Sequence, residues 1–481
     1  RVPVVPYGKH RVLVLTDRGE VRAFDVDITD ADKPVKEAAS KPAMHDHPVI
    51  GYPLIDASSL WVADNRLTNY LIQVTTKEIT RNPNVANIGD TFTGPLQQFQ
   101  DILVHVRRIK DSAGVTVAGV NIDNSRKPLW ETHLGVPAGR VQVDADRGRI
   151  LAISAAASLF EINRDALSSG ISDQPKMSVR GGGSRSFTDA IALANGRVVL
   201  FNPADHQRLL VFDPADDTAP LRMVELKLDD ARISAPPLAF EEGLLLPLER
   251  GAVAYIDPAT GGEKTLPFQP RLEPGETITW QSPTKIDGQA RTFIIGDDRR
   301  NVYRVGIKDQ PQPYLAELEK SRLDVQITSS LASVGDTIYG VVHSEGTDVV
   351  VAIGLSDLKV AQKWDLEGGR LTWGPHRVGD AVLMVVDGKQ LRCFETGAKE
   401  RWEKPAAMVG QPVGLPLLDG SDFIFASPSG AVWRVSGSTG ETLGQADVGE
   451  PLGTGPVAYN GRLLLSGNDG ALHVIPMPAG S

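Results

Sequence analysis

The chain has 481 residues, 41% of them hydrophobic and 23% charged, and a formal net charge of −10. These values fit a folded globular protein and argue against an electrostatic grip on nucleic acid, which needs clustered Lys and Arg to displace counterions. No apolar run approaches the roughly 18 residues that span a bilayer, and the single cysteine, Cys393, excludes an internal disulfide and a Cys-based zinc site.

The opening residues, Arg1-Val-Pro-Val-Val-Pro6, lack the charged, apolar and cleavage regions of a signal peptide. The sequence therefore reads as a processed or trimmed product, with any targeting segment and upstream domains outside it. From there one local pattern returns at intervals of about 40 to 50 residues, a period typical of repeat architectures. An apolar strand runs into a tight polar turn, and a second apolar strand follows, ending in a small or acidic residue. The second strands end near Asp25, Thr75, Asn121, Asn163, Asp213, Asp257, Gly306, Gly354, Glu395, Ser436 and Pro476. Strand-only units of this period predict an all-β fold, a β-propeller of four-stranded antiparallel blades with about eleven repeats.

Along the chain, the first hairpin turn is Asp17-Arg-Gly19, where glycine supplies the positive φ that a short turn demands. His45-Asp46-His47 is the one dense His/acid cluster. In an extended segment both imidazoles would point to one side, as a metal pair requires, but no third ligand is visible and a surface loop between copies is the plainer expectation. Arg107-Arg-Ile-Lys110 and Arg299-Arg300 read as solvated strand faces. Arg164–Gly170 and Gln312–Arg322 are the two places where a short helix could decorate a loop. Gly181-Gly-Gly-Ser184 reads as a linker: it lacks the Gly-Lys-Ser/Thr ending of a phosphate cradle.

The clearest copy is Gly251-Ala-Val-Ala-Tyr-Ile-Asp257, followed by the turn Pro258-Ala-Thr-Gly-Gly262. Similar turns at Glu395-Thr-Gly397 and Gly437-Ser-Thr-Gly-Glu441 lead to an outermost strand. In several copies that strand opens with tryptophan: Trp130, Trp364 and Trp402. Recurrence at one repeat position points to rings docked between blades. Cys393, in Leu391-Arg-Cys-Phe394, reads as a small half-buried residue.

Eleven copies exceed the about four to eight blades of a usual ring, so two rings are expected. One division has N-terminal repeats over 1–183, about four blades and part of a second ring, and a seven-bladed ring over 184–481. The other is an eight-bladed ring from about residue 137. The last copy has room for three strands, and Pro175-Lys-Met-Ser-Val-Arg180 is a candidate for the missing fourth. An open array of blades exposes strand edges that something should cover.

The strand, the Thr-Gly turn and the following Trp together resemble the PQQ-like propeller repeat over nearly the whole chain. The likeness is good around Asp25, Asp257, Glu395 and Ser436 and degenerate around Thr75 and Asn163. That repeat serves both quinoprotein dehydrogenases and non-enzymatic proteins, including bacterial outer-membrane assembly and scaffold propellers. The resemblance implies, for an enzyme, a calcium, a quinone, a base aspartate, a Trp floor and often a disulfide of adjacent cysteines; the last cannot form here. Trp280 and Trp373, each in a Thr-Trp at the start of a repeat, are the candidate floors, with no matching Glu, Asn and Asp set. The expectation is a non-catalytic protein-interaction scaffold without cofactor, in the periplasm or cell envelope of a bacterium. The alternative is a PQQ- and calcium-dependent dehydrogenase, or another propeller enzyme with its site at the central channel.

Overall fold

A computed structural model describes residues 4–57, 59–73, 75–82, 86–109, 114–162, 175–179, 186–202, 205–228, 232–273, 275–344 and 346–478. Every regular element among them is a β-strand. The hairpins form where the sequence places glycine: the Gly251 N–H donates to Leu248 O at 2.9 Å, and Gly251 sits at φ 81°. The strands it joins, Gly243–Pro247 and Val253–Ile256, are buried at every position. Burial on both faces explains why such strands are continuous apolar runs rather than alternating ones. The Asp257 turn closes through two backbone bonds of 2.8 Å, Gly261 N–H to Asp257 O and Asp257 N–H to Gly262 O.

The strands assemble into eleven antiparallel blades, here numbered in chain order: 4–41, 52–81, 91–134, 138–178, 189–225, 238–256, 284–322, 332–365, 371–407, 417–447 and 457–476. Most have four strands in simple meander order; blades 6 and 11 have three. The helix foreseen at Gln312–Arg322 is a strand instead. Tyr314–Arg322 pairs along its length with Asn301–Lys308, and this pairing overrides the helix preference of its Leu, Ala, Glu and Lys. The helix foreseen at Arg164–Gly170 and the glycines Gly181–Gly183 lie outside the described residues.

The chain divides into two compact units, Arg1–Val136 and Pro137–Ser481. The first holds blades 1 to 3. Blade 1 turns Leu13, Leu15, Val21 and Ala23 onto Leu60, Val62, Tyr70 and Ile72 of blade 2. The other face of blade 2, with Trp61, Ala63 and Leu67, packs on Leu103 and Val120 of blade 3. A parallel bridge, Ser40 to Glu78, also joins the outer strands of blades 1 and 2.

The second unit holds blades 4 to 11, and each meets the next through an apolar seam. An eighth seam joins the ends: Val141, Ile150 and Ala152 of blade 4 pack with Leu464, Val457 and Val474 of blade 11. Eight blades with eight seams make a closed ring. The boundary thus falls after Val136 rather than at 183/184, because the fourth copy is packed on both sides within the second unit. The segment offered as a fourth strand for the last blade serves blade 4 instead: Met177 and Ser178 pair with Leu159 and Ser158. Among the described residues blade 11 borrows no strand, and side-chain packing carries the closure.

Candidate protein-docking surface

In every seam one blade presents its front, the face turned to the next blade, to the back of its successor. The recurring tryptophan belongs to the front. Trp364 packs with Tyr339 and Phe394 in the seam of blades 8 and 9. Trp402, 4% exposed, lies between blades 9 and 10 and donates its indole N–H to Gly437 O at 3.1 Å. Trp130 occupies the same position in blade 3, and blade 3 is the last of its unit. It is 44% exposed.

Cross-strand register shows what surrounds it, since directly opposed residues share a face. Val104 faces Gly119, which faces Trp130; Val106 faces Val117; Val115 faces Leu134; Phe99 faces Ile102. The indole lies across Gly119, where an added Cβ would stand 2.5 Å from the indole nitrogen. Glycine therefore lets the ring lie flat on the sheet. The opposite side chains of the same strands, Leu103 and Val120, are buried against blade 2. The front of blade 3 is thus an apolar sheet face, half-buried at its centre and open at Phe99, Trp130 and Leu134.

Blade 1 carries the complementary feature. Its back displays Val4, Val12, Val14 and Phe24 on one face by register, together with Arg22 opposite Val14, which pairs with Glu20 and Glu37; Val4 is 59% exposed. Of the fifteen large hydrophobic side chains that stand exposed among the described residues, ten belong to the first unit, although it is much the shorter. That unit carries 16 Lys and Arg against 16 Asp and Glu, so the net charge of −10 resides wholly in the second. A neutral surface rich in open apolar side chains is suited to association.

The residues singled out for chemistry lie elsewhere. Trp280 is 2% exposed, wedged between Phe268 and Tyr303 at centroid distances of 6.0 and 5.6 Å in the seam of blades 6 and 7. Trp373 lies partly buried against the seam of blades 9 and 10, its ring 4.5 Å from that of His376. Burial holds His376 down at about 4, well below a free imidazole. His45 turns inward and pairs with Asp64 at 2.7 Å, while Asp46 and His47 are exposed at a bend. The two imidazoles are therefore not brought together. No group of three or more His, Cys, Asp and Glu among the described residues could hold a metal ion. Cys393 is fully buried, which pushes its thiol up to about 12.

Two groups that the sequence did not signal lie on neighbouring innermost strands of the ring. Burial lowers the pKa of Arg140, whose Nε has no hydrogen-bond partner, and raises that of Asp189. Only the fold shows that the Arg140 Nε is buried; Asp189, though its pKa is raised, stands at an exposed position.

No protein-family model and no curated protein matches the chain. Among solved structures it is similar to the computationally designed Ika8 protein, with a TM-score of 0.51 and 12% identity over 71% of this chain and 97% of that one. It is also similar to BamB from Moraxella catarrhalis, with a TM-score of 0.44 and 16% identity over 70% of this chain and 94% of that one. At such identities likeness speaks of fold alone. The chain is a multi-blade β-propeller. Among the described residues no helix is long and apolar enough to cross a membrane.

Proposed function

We propose that the chain is a non-catalytic protein-interaction scaffold of PQQ-like propeller repeats, working in the bacterial cell envelope. The closed ring supplies a rigid body, and the first unit supplies the docking surface. The observation that carries this reading is Trp130, a seam residue left 44% exposed on an apolar sheet face. Large aromatic rings in such settings dominate binding energetics.

The test is site-specific photo-crosslinking in the native host, with the reactive residue at Leu134 on the front of blade 3 or at the exposed Leu418 in the ring. A protein adduct specific to position 134 supports the scaffold. Natively purified protein with stoichiometric calcium and a quinone absorbance would instead favour the dehydrogenase reading, with Trp373 the residue to examine first.

A further inference from the structure

Arg140 is a cation that the ring buries without answering. It belongs to the first strand of blade 4, Ala138–Asp144, which runs beside the first strands of blades 11 and 5. Its pairing with the second strand shifts register between Ala138 and Arg140, and such a bulge re-aims the neighbouring side chain. The extra residue is Gly139, where an added Cβ would stand 2.2 Å from the Phe187 carbonyl oxygen of blade 5. Arg140 opposes Ile153, which packs in the seam with blade 5, so the arginine shares that face at its innermost end. The side chain is half-buried and its Nε is closed to solvent. Among the described residues it has neither a hydrogen bond nor an ion pair. Asp189, on the neighbouring first strand, does not pair with it; its carboxylate accepts from the Thr188 hydroxyl at 3.4 Å.

Burial lowers the pKa of Arg140 and no neighbouring charge raises it again, yet a guanidinium keeps its proton in any protein setting. A desolvated charge is costly unless an opposite charge stands beside it, and water, being neutral, cannot supply one. We infer that Arg140 is an anion-binding site on the inner side of the ring, and that its ligand is the carboxylate of a small molecule. The planar fork of a guanidinium fits a carboxylate through two parallel hydrogen bonds. One isolated cation suits one negative charge. A phosphate dianion would need a second cation, and the net charge of −10 carried by the second unit opposes it. Thr454, which leads into the first strand of blade 11 on the other side of blade 4, holds another buried group without a partner, its hydroxyl. A hydroxyl can donate to a carboxylate oxygen. This site is separate from the front of blade 3, so its failure would leave the scaffold reading untouched.

Thermal unfolding of the full chain in sodium acetate, against sodium chloride at equal ionic strength, tests this. Acetate is expected to raise the midpoint progressively with concentration, because a ligand of the folded state alone stabilises it by mass action. Arg140→Met removes an unpaired buried cation. It is expected to unfold at a higher midpoint than the parent in chloride and to lose the response to acetate. Arg140→Lys keeps the charge without the fork, and the acetate concentration giving half the effect is expected to rise about 10-fold. In nitrogen NMR the Arg140 Nε–H signal, identified by its loss in Arg140→Met, is expected to shift with acetate and not with chloride. Equal responses of parent and Arg140→Met to acetate mean a general salt effect and overturn the inference. So does an Arg140→Met chain less stable than the parent in chloride, which means that the guanidinium already has a partner in the fold. Inorganic phosphate that acts on the parent at lower concentration than acetate overturns the assignment to a carboxylate.

Discussion

His105 shows how a single residue reports on the fold it is buried in. It lies on the back of blade 3, 1% exposed, against Phe92 at 5.1 Å, and neither ring nitrogen has a hydrogen-bond partner. Burial, reinforced by the nearby Arg107 charge, holds its pKa down at about 3. The folded value lies below that of a free imidazole, so the unfolded chain takes up the proton first as pH falls. Stability is therefore lost from about pH 6.5 downward, reaching about 3 kcal/mol by pH 4. His105→Phe removes the cost. Urea unfolding is expected to give similar midpoints for variant and parent at pH 8, with the variant increasingly the more stable toward pH 4. Parallel pH profiles would mean that His105 finds a proton acceptor in the fold. The sequence could not single out this histidine: it signalled His45 and His47 by spacing, whereas burial and pairing depend on strands distant in sequence. Asp64, the partner of His45, lies 19 residues away.

At the scale of the element, the turns were the most legible feature because their chemistry is local. Asp257 accepts the Ala259 N–H at 2.9 Å through its carboxylate, while its carbonyl receives the Gly261 N–H. The Ser436 turn repeats the pattern, with Gly440 N–H donating to Ser436 O at 3.0 Å. Gly261 has φ 71°, and a Cβ there would collide with the carbonyl of Glu225 in the neighbouring blade. Gly261→Val combines a left-handed backbone with a clash against main chain that cannot rotate away. It is expected to destabilise the ring by about 2–4 kcal/mol, measured as a lower denaturant midpoint with unchanged slope. Gly397, also at positive φ but with nothing within 4 Å, is the control, and its alanine variant should lose only about 1 kcal/mol. Equal losses at the two sites would show that φ alone matters. The segment Gln312–Arg322 reads as a possible short helix, and its residues Tyr314–Arg322 form a strand, for the opposite reason. Its composition favours helix, and only its partner strand at Asn301–Lys308, with the burial that pairing brings, makes it extended.

At the scale of the whole molecule, the count of blades could be read from the period, but their grouping could not. Every copy presents the same kind of apolar front and back, so Val141 and Ile150 of blade 4 look no more suited to blade 11 than to blade 3. The glycine run ahead of residue 184 suggested a boundary by composition alone, while the division after Val136 is set by which faces meet. The open front around Trp130 was invisible for the same reason: its sequence is that of a docked tryptophan. This grouping makes a further prediction. Residues 137–481 contain all eight seams of their ring, so among the described residues the fronts and backs of blades 4 to 11 cover one another. Expressed alone, that segment is expected to fold and to unfold in one cooperative transition, because opening any seam uncovers side chains worth about 1.5–3 kcal/mol each. A segment that fails to fold would show that the ring draws stability from the first unit.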